Sequence, residues 1–178
     1  MQFERNKVFD LQPTLKGELL ELRPLLTMDF DDLYTVASDP LIWEQHPAKN
    51  RHERKVFEKL FLEFLDSGGA LIVIDSNNNK VIGSSRYHGY NPDKEEVEIG
   101  WTFLARAYWG GIYNKEMKRL MLQNAFNYVN SVIFRVGVHN IRSQQAVLKL
   151  GATRIGIRPD ASGNESIVYQ IVKSDYFK

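Results

Sequence analysis

The sequence predicts a single α/β (α+β) domain over residues 1–178, with a mixed, mostly antiparallel central sheet flanked by helices on both faces. Three observations predict it. Strand-like and helix-like segments follow in the order β–β–α–α–β–β–β–α–β–α–β–β, so hairpins and strand–helix–strand crossovers occur in one chain. The 178 residues, 43% apolar and 25% charged, suit one core of ordinary composition. No internal repeat, low-complexity tract or linker divides them.

Each element has its own signal. Between Val8 and Leu26, Leu20 and Leu22 alternate beside turn residues from Pro13 to Gly17, giving two short strands of which Pro24 ends the second. Leu33, Val36 and Ala37 mark a short helix with Asp29 or Thr27 as N-cap. It ends near Asp39-Pro40, because the residue before proline is pushed out of the helical region. Residues 41–50 are irregular and carry Ile42, Trp43 and His46 on a loop. Val56, Leu60, Phe61 and Phe64 recur at three and four in a second helix, over 51–66, that Ser67-Gly68-Gly69 terminates.

Residues 70–75 and 81–90 flank an Asn-rich turn and read as a hairpin, with Gly83 or Gly89 as the place for a bend. The following strand, EVEIGWTFL, alternates Val97, Ile99, Trp101 and Phe103 with Glu98, Gly100 and Thr102. Glu98 is therefore expected on the face opposite the large apolar side chains. After Gly110-Gly111 a long helix places Met117, Leu120, Met121, Phe126 and Val129 on one stripe, with Lys118, Arg119, Gln123 and Asn127 mostly off it. SVIFRVGV is a strand, HNIRSQQAVLKLG a helix with Asn140 as N-cap candidate and Gly151 as stop, and ATRIGIR and ESIVYQIV are closing strands.

Composition removes several function classes. A net charge of +1 gives no general attraction to nucleic acid or an anionic membrane. The absence of cysteine excludes disulfides, thiolate metal sites and a cysteine nucleophile. The N-terminus lacks a signal-peptide pattern and no apolar run approaches a membrane span, so a soluble cytoplasmic protein is expected. His46, His52, His88 and His139 show no metal-ligand spacing, and no metal is expected.

Chemistry concentrates in residues 96–129, a strand, a turn carrying Gly110 and Gly111, and a helix whose first N–H groups are free to meet an anion. The plain alternative is a tight strand-to-helix turn. A P-loop is disfavoured because no Lys-Ser or Lys-Thr follows the glycines. An apolar wall such as Trp101 would raise the pKa of Glu98; the alternative is an exposed carboxylate or one paired with Arg86.

Four phrases, LELRPL, GSSRYHGY, EIGWTFLARAYWGG and VHNIRSQQAVLKLGATRIG, stand in an order and spacing that resembles the GNAT superfamily of N-acetyltransferases. The resemblance covers nearly the whole chain and is nearest to the RimJ/RimL-like ribosomal-protein acetyltransferase branch. It implies acetyl-CoA as co-substrate, with its pantetheine along Thr102, Phe103 and Leu104 and its pyrophosphate met by backbone amides of Trp109, Gly110, Gly111, Ile112, Tyr113 and Asn114. Arg106 and Lys115 would add charge at the rim. Ile112 and Asn114 depart from the family's pattern, which has glycine and then glycine or alanine there, and Gly110-Gly111 restores room one or two positions earlier.

With an amine as the group to be acetylated, Glu98 fits the general base that removes its proton, and the resemblance further implies Ser143 as proton donor to the leaving thiolate and Asn140 as a pantetheine ligand. Their plain alternatives are a helix serine bonded to backbone and a simple N-cap. Trp43, Tyr87 and His88 are candidate substrate-pocket residues, against ordinary packing. The expected function is acetyl transfer to a primary amine, on a protein N-terminus or a small molecule, by direct attack in a ternary complex. The rival is a catalytically inactive acyl-CoA-sensing or protein-interaction module of the same fold. The acceptor, and the choice between monomer and homodimer, stay open.

Overall fold

In the computed structural model, which describes residues 8–159 and 163–178, eight strands join in one sheet. They are β1 (Leu15–Lys16), β2 (Leu20–Pro24), β3 (Ala70–Asp75), β4 (Val81–Asn91), β5 (Glu96–Leu104), β6 (Ser131–Gly137), β7 (Thr153–Pro159) and β8 (Glu165–Val172). Their spatial order is β1-β2-β3-β4-β5-β6-β8-β7, antiparallel throughout except for the parallel pair β5 and β6. Helices α1 (Phe30–Ala37) and α2 (Arg54–Asp66) pack on one face through Leu33, Phe57, Phe61 and Phe64. On the other face α3 (Ile112–Ala125) and α4 (Ile141–Leu148) bury Met117, Met121, Leu122 and Val147. A short α5 (Lys173–Tyr176) closes the chain. No helix among the described residues is long and apolar enough to cross a membrane.

The strands and helices follow the order expected from the sequence, with α5 added, with two 3-10 turns, Pro40–Ile42 and Lys49–His52, overlapping the ends of the stretch 41–50 read as irregular, and with α2 starting at Arg54 rather than Arg51. Asp29 precedes α1 but does not cap it: its carboxylate accepts from both terminal nitrogens of Arg23, at 2.9 and 2.7 Å, and from the Leu26 N–H at 2.8 Å. The guanidinium at the end of β2 outcompetes the helix amides, since charge-assisted pairs are the stronger bonds.

Two expectations about facing are corrected. Trp101 has φ +50°, and Trp101 and Thr102 together oppose Ser85 of β4, a β-bulge. Alternation is reset there. Val97 and Ile99 face α3, but Phe103 joins the α1/α2 core, Trp101 packs against that same core, and Leu104 returns to the α3 side. Glu98 therefore shares its face with Trp101 and Phe103.

The second correction concerns α3, where Lys118 lies off the apolar stripe yet is only 5% exposed. Its neighbour Glu116 is also buried and accepts from the N–H groups of Glu18, Leu19 and Leu20 at 3.1, 2.8 and 3.1 Å, pinning the β1–β2 turn to the helix. A Cβ at Gly17 would stand 2.6 Å from the Glu116 carboxylate carbon, so the turn needs glycine for this approach.

Candidate active site

β5 and β6 pair only at Glu96–Ser131, Val97–Val132 and Glu98–Ile133. Beyond that they part, because the bulge bends and twists β5 while β6 stays registered with β8 over its whole length. The edge of residues 99–104 that would face β6 is left without a partner strand, and a wedge-shaped opening runs from Glu98 towards the C-terminal ends of both strands.

Glu98 stands where the strands divide. It is 7% exposed, and Arg135 Nε lies 3.4 Å from its Oε2. Burial pushes its carboxyl above the ordinary carboxylate range, while Arg135 and Arg86 pull it back. Neither plain alternative describes it: it is not exposed, and Arg86 instead lays its guanidinium over the Trp101 ring at 3.4 Å. His88 stands on this same face, with its exposed ring edge-on to Trp101.

At the other end of the wedge, α3 begins without a side-chain cap. Gly110, at φ +73°, makes the turn that a residue with a Cβ resists. A Cβ at Gly110 or Gly111 would meet nothing within 4 Å, so the backbone is open to approach. The amides of Ile112, Tyr113 and Asn114 begin the helix and have no backbone acceptor inside it. The Ile112 side chain is 61% exposed, so the departure at this position is turned to solvent rather than packed into the turn.

Several predicted residues are also tied to other partners. Arg106 pairs with Asp39 at the end of α1, and Tyr113 reaches Asp75 and Asn77 at the β3–β4 turn. The Trp109 indole donates to Leu104 O at 2.8 Å and lies 3.9 Å under the Arg142 guanidinium, so this stack joins the β5 lip to the first turn of α4. Arg142 also donates to Ile42 O, at 2.8 Å. Asn140 does cap α4, accepting from the Ser143 N–H at 3.2 Å. The Ser143 hydroxyl has no hydrogen-bond partner among the described residues.

The structure does not bring the three candidate pocket residues together. Tyr87 is buried on the α3 side, edge-on to Phe9, with its hydroxyl donating to Met121 O. Trp43 is a core anchor: its Nε1 donates to Ala37 O, and its ring packs on Phe103 at 5.0 Å. Next to it, the α1–α2 loop, the turn after β6 and the start of β8 border an open cleft of about 560 Å³ lined by Glu44, Gln45, His46, Pro47, His139 and Glu165 among others. No cluster of His, Asp or Glu suited to a metal occurs among the described residues.

An acetyltransferase (GNAT) domain pattern matches residues 20–153, three-quarters of the chain. The chain belongs to the GNAT acetyltransferase family. As a GNAT protein it is an acetyl-CoA-dependent N-acetyltransferase. No curated protein sequence matches it. Among solved structures it is similar to a GCN5-related N-acetyltransferase from Brucella melitensis, at 18% identity and TM-score 0.82, covering 93% of this chain and 80% of that one. It is similar to the spermidine N-acetyltransferase of Vibrio cholerae, solved with CoA and spermine, at 15% identity and TM-score 0.70 over 91% and 100% of the chains. It is also similar to Mycobacterium smegmatis RimJ, solved with CoA-disulfide, at 14% identity and TM-score 0.70 over 94% and 89%. At these identities the likeness is one of fold.

The burial of Lys118 and Glu116 and the Trp109–Arg142 stack escaped the sequence reading. Lys118 and Glu116 sit where helical periodicity predicts solvent, and no local signal marks them. Arg142 follows a recognisable N-cap, yet its stack with Trp109 depends on a contact across the wedge that spacing does not encode.

Proposed function

We propose that this GNAT enzyme transfers the acetyl group of acetyl-CoA to a primary amine by direct attack, with Glu98 as general base. The observation that carries the reading is the wedge itself: a buried carboxylate at its apex, an unpaired strand edge along one side and an uncapped helix start at its mouth. Each part answers a requirement. Free amides at a helix start stabilise phosphate charge, and here they would be those of Gly110, Gly111, Ile112, Tyr113 and Asn114. An unpaired β5 edge at Thr102, Phe103 and Leu104 offers peptide groups to an extended amide-bearing arm such as pantetheine. Glu98, with its carboxyl held above the ordinary range, accepts the proton of an ammonium more readily than an exposed glutamate does.

Ser143, whose hydroxyl is uncommitted, is assigned the proton returned to the thiolate, and Asn140 the orientation of the first turn that carries it. Arg106 and Tyr113 hold the strand-to-helix connection through Asp39 and Asp75, with their side chains bonded away from the amides. The acceptor is read as a primary amine of a peptide N-terminus or a small molecule. The RimJ and spermidine acetyltransferase neighbours stand for these two classes, and the cleft beside Trp43 is the entry assigned to it. Release of free CoA measured over a panel of peptide and polyamine acceptors tests the proposal. Wild-type protein should turn over at least one acceptor, and turnover unchanged in both Glu98→Gln and Ser143→Ala would refute the roles given to these residues.

A further inference from the structure

Lys118 is a buried charged side chain of α3 that the functional reading leaves without a task. It lies six residues into α3, roughly 9 Å along the helix from Ile112, and its side chain reaches the sheet at the bulge. Its Nζ donates to Thr102 Oγ1 and, at 3.2 Å, to Ser85 Oγ, and the two hydroxyls are 2.8 Å from each other. The ring of Phe134, in β6, lies 5.9 Å away. The amine therefore sits under the wedge, bonded to one lip and facing an aromatic ring of the other.

No carboxylate among the described residues compensates it. Glu116 is occupied by the β1–β2 turn, Tyr87 donates to Met121 O, and Glu98 and Arg86 occupy the opposite face of the sheet. Burial alone pushes the amine down to about 7. A buried lysine held by neutral hydroxyls costs stability, and an apolar residue of similar volume would not. The bonds it makes are to two of the three residues of the bulge, Ser85 on β4 and Thr102 on β5.

We propose that Lys118 is a positioning residue for acetyl-CoA: by holding Thr102 and Ser85 it fixes the β5 bulge, and with it the strand edge that receives the pantetheine arm. This inference rests on the reading of that edge given above. Loss of Lys118 frees the Thr102 hydroxyl and lets the bulge relax, so the edge is no longer presented in one arrangement and cofactor affinity falls. Catalytic turnover at saturation, which depends on Glu98 and Ser143, neither of them bonded to Lys118, is retained.

Calorimetric titration with acetyl-CoA tests it, together with steady-state kinetics on whichever amine the wild type accepts. Lys118→Met is expected to weaken acetyl-CoA binding about tenfold, with KM for acetyl-CoA raised in step, kcat within about twofold and the melting temperature at pH 7 not lowered. Thr102→Val, which keeps the volume and removes the hydroxyl, should weaken binding similarly, Thr102→Ser should restore it, and Lys118→Met with Thr102→Val should be no weaker than either alone. Wild-type affinity in Lys118→Met overturns the proposal. If that variant does not fold, equal affinity of Thr102→Val and Thr102→Ser overturns it instead. Absence of acetyl-CoA binding by the wild type would remove the functional reading itself, a different result from binding that is indifferent to Lys118.

Discussion

Glu98 lies 3.4 Å from Arg135, yet its carboxyl is held above the ordinary range, because burial outweighs the pull of Arg135 and Arg86. A base with a raised pKa loses its function at a higher pH as the solution is acidified, so the acid limb of kcat/KM should stand above the ordinary glutamate value near 4.5. Arg135→Gln removes a group that favours the charged form and should move that limb further up in a pH–rate profile. Glu98→Gln should lower kcat roughly 100- to 10,000-fold and erase the limb. Lys118 gives the opposite sign. Its folded value of about 7 lies below the unfolded value near 10.4, so between the two the unfolded chain binds the extra proton and stability rises with pH. The gain is complete only above about 10 and is lost as pH falls to about 7, with a slope approaching about 1.4 kcal/mol per pH unit. Urea denaturation from pH 6.5 to 9.5 should show this rise in the wild type, and Lys118→Met should lack it.

At the scale of elements, α3 has two tasks that its sequence shows unequally. Its start, with Gly110 and Gly111, is readable because a positive φ and an uncapped helix end both leave marks in residue type. Its anchoring is not, because Glu116 serves the N–H groups of residues 18–20, about a hundred positions earlier. Glu116→Ala would strand three amides in a partly buried turn and should cost on the order of 3 kcal/mol in chemical denaturation. The same limit applies to β5: alternation located Glu98 correctly relative to Val97 and Ile99, and failed past Gly100, because a bulge is specified by the partner strand as well as by its own residues. The α1–α2 loop shows it a third time, where Trp43 looked free for a ligand and is instead held by Ala37 O and Phe103.

Over the whole molecule, hydrophobic periodicity and turn residues were enough to give the order of elements, since both are local, and the resemblance to GNAT proteins supplied the candidate site residues. What neither supplied is how the two halves of the sheet meet. Five strands, β1 to β5, form one antiparallel body, and β6, β8 and β7 form another. Only three residue pairs of a parallel ladder stitch them together. Such a junction is the place where the protein should come apart first without unfolding, so amides along the β5–β6 ladder should exchange with deuterium ahead of those between β6 and β8. Acetyl-CoA lying in the wedge would act as a missing strand between the two bodies and slow that exchange selectively; uniform slowing across the sheet would count against it. The opening proposed for the cofactor is thus also a seam, which a bound cofactor would close.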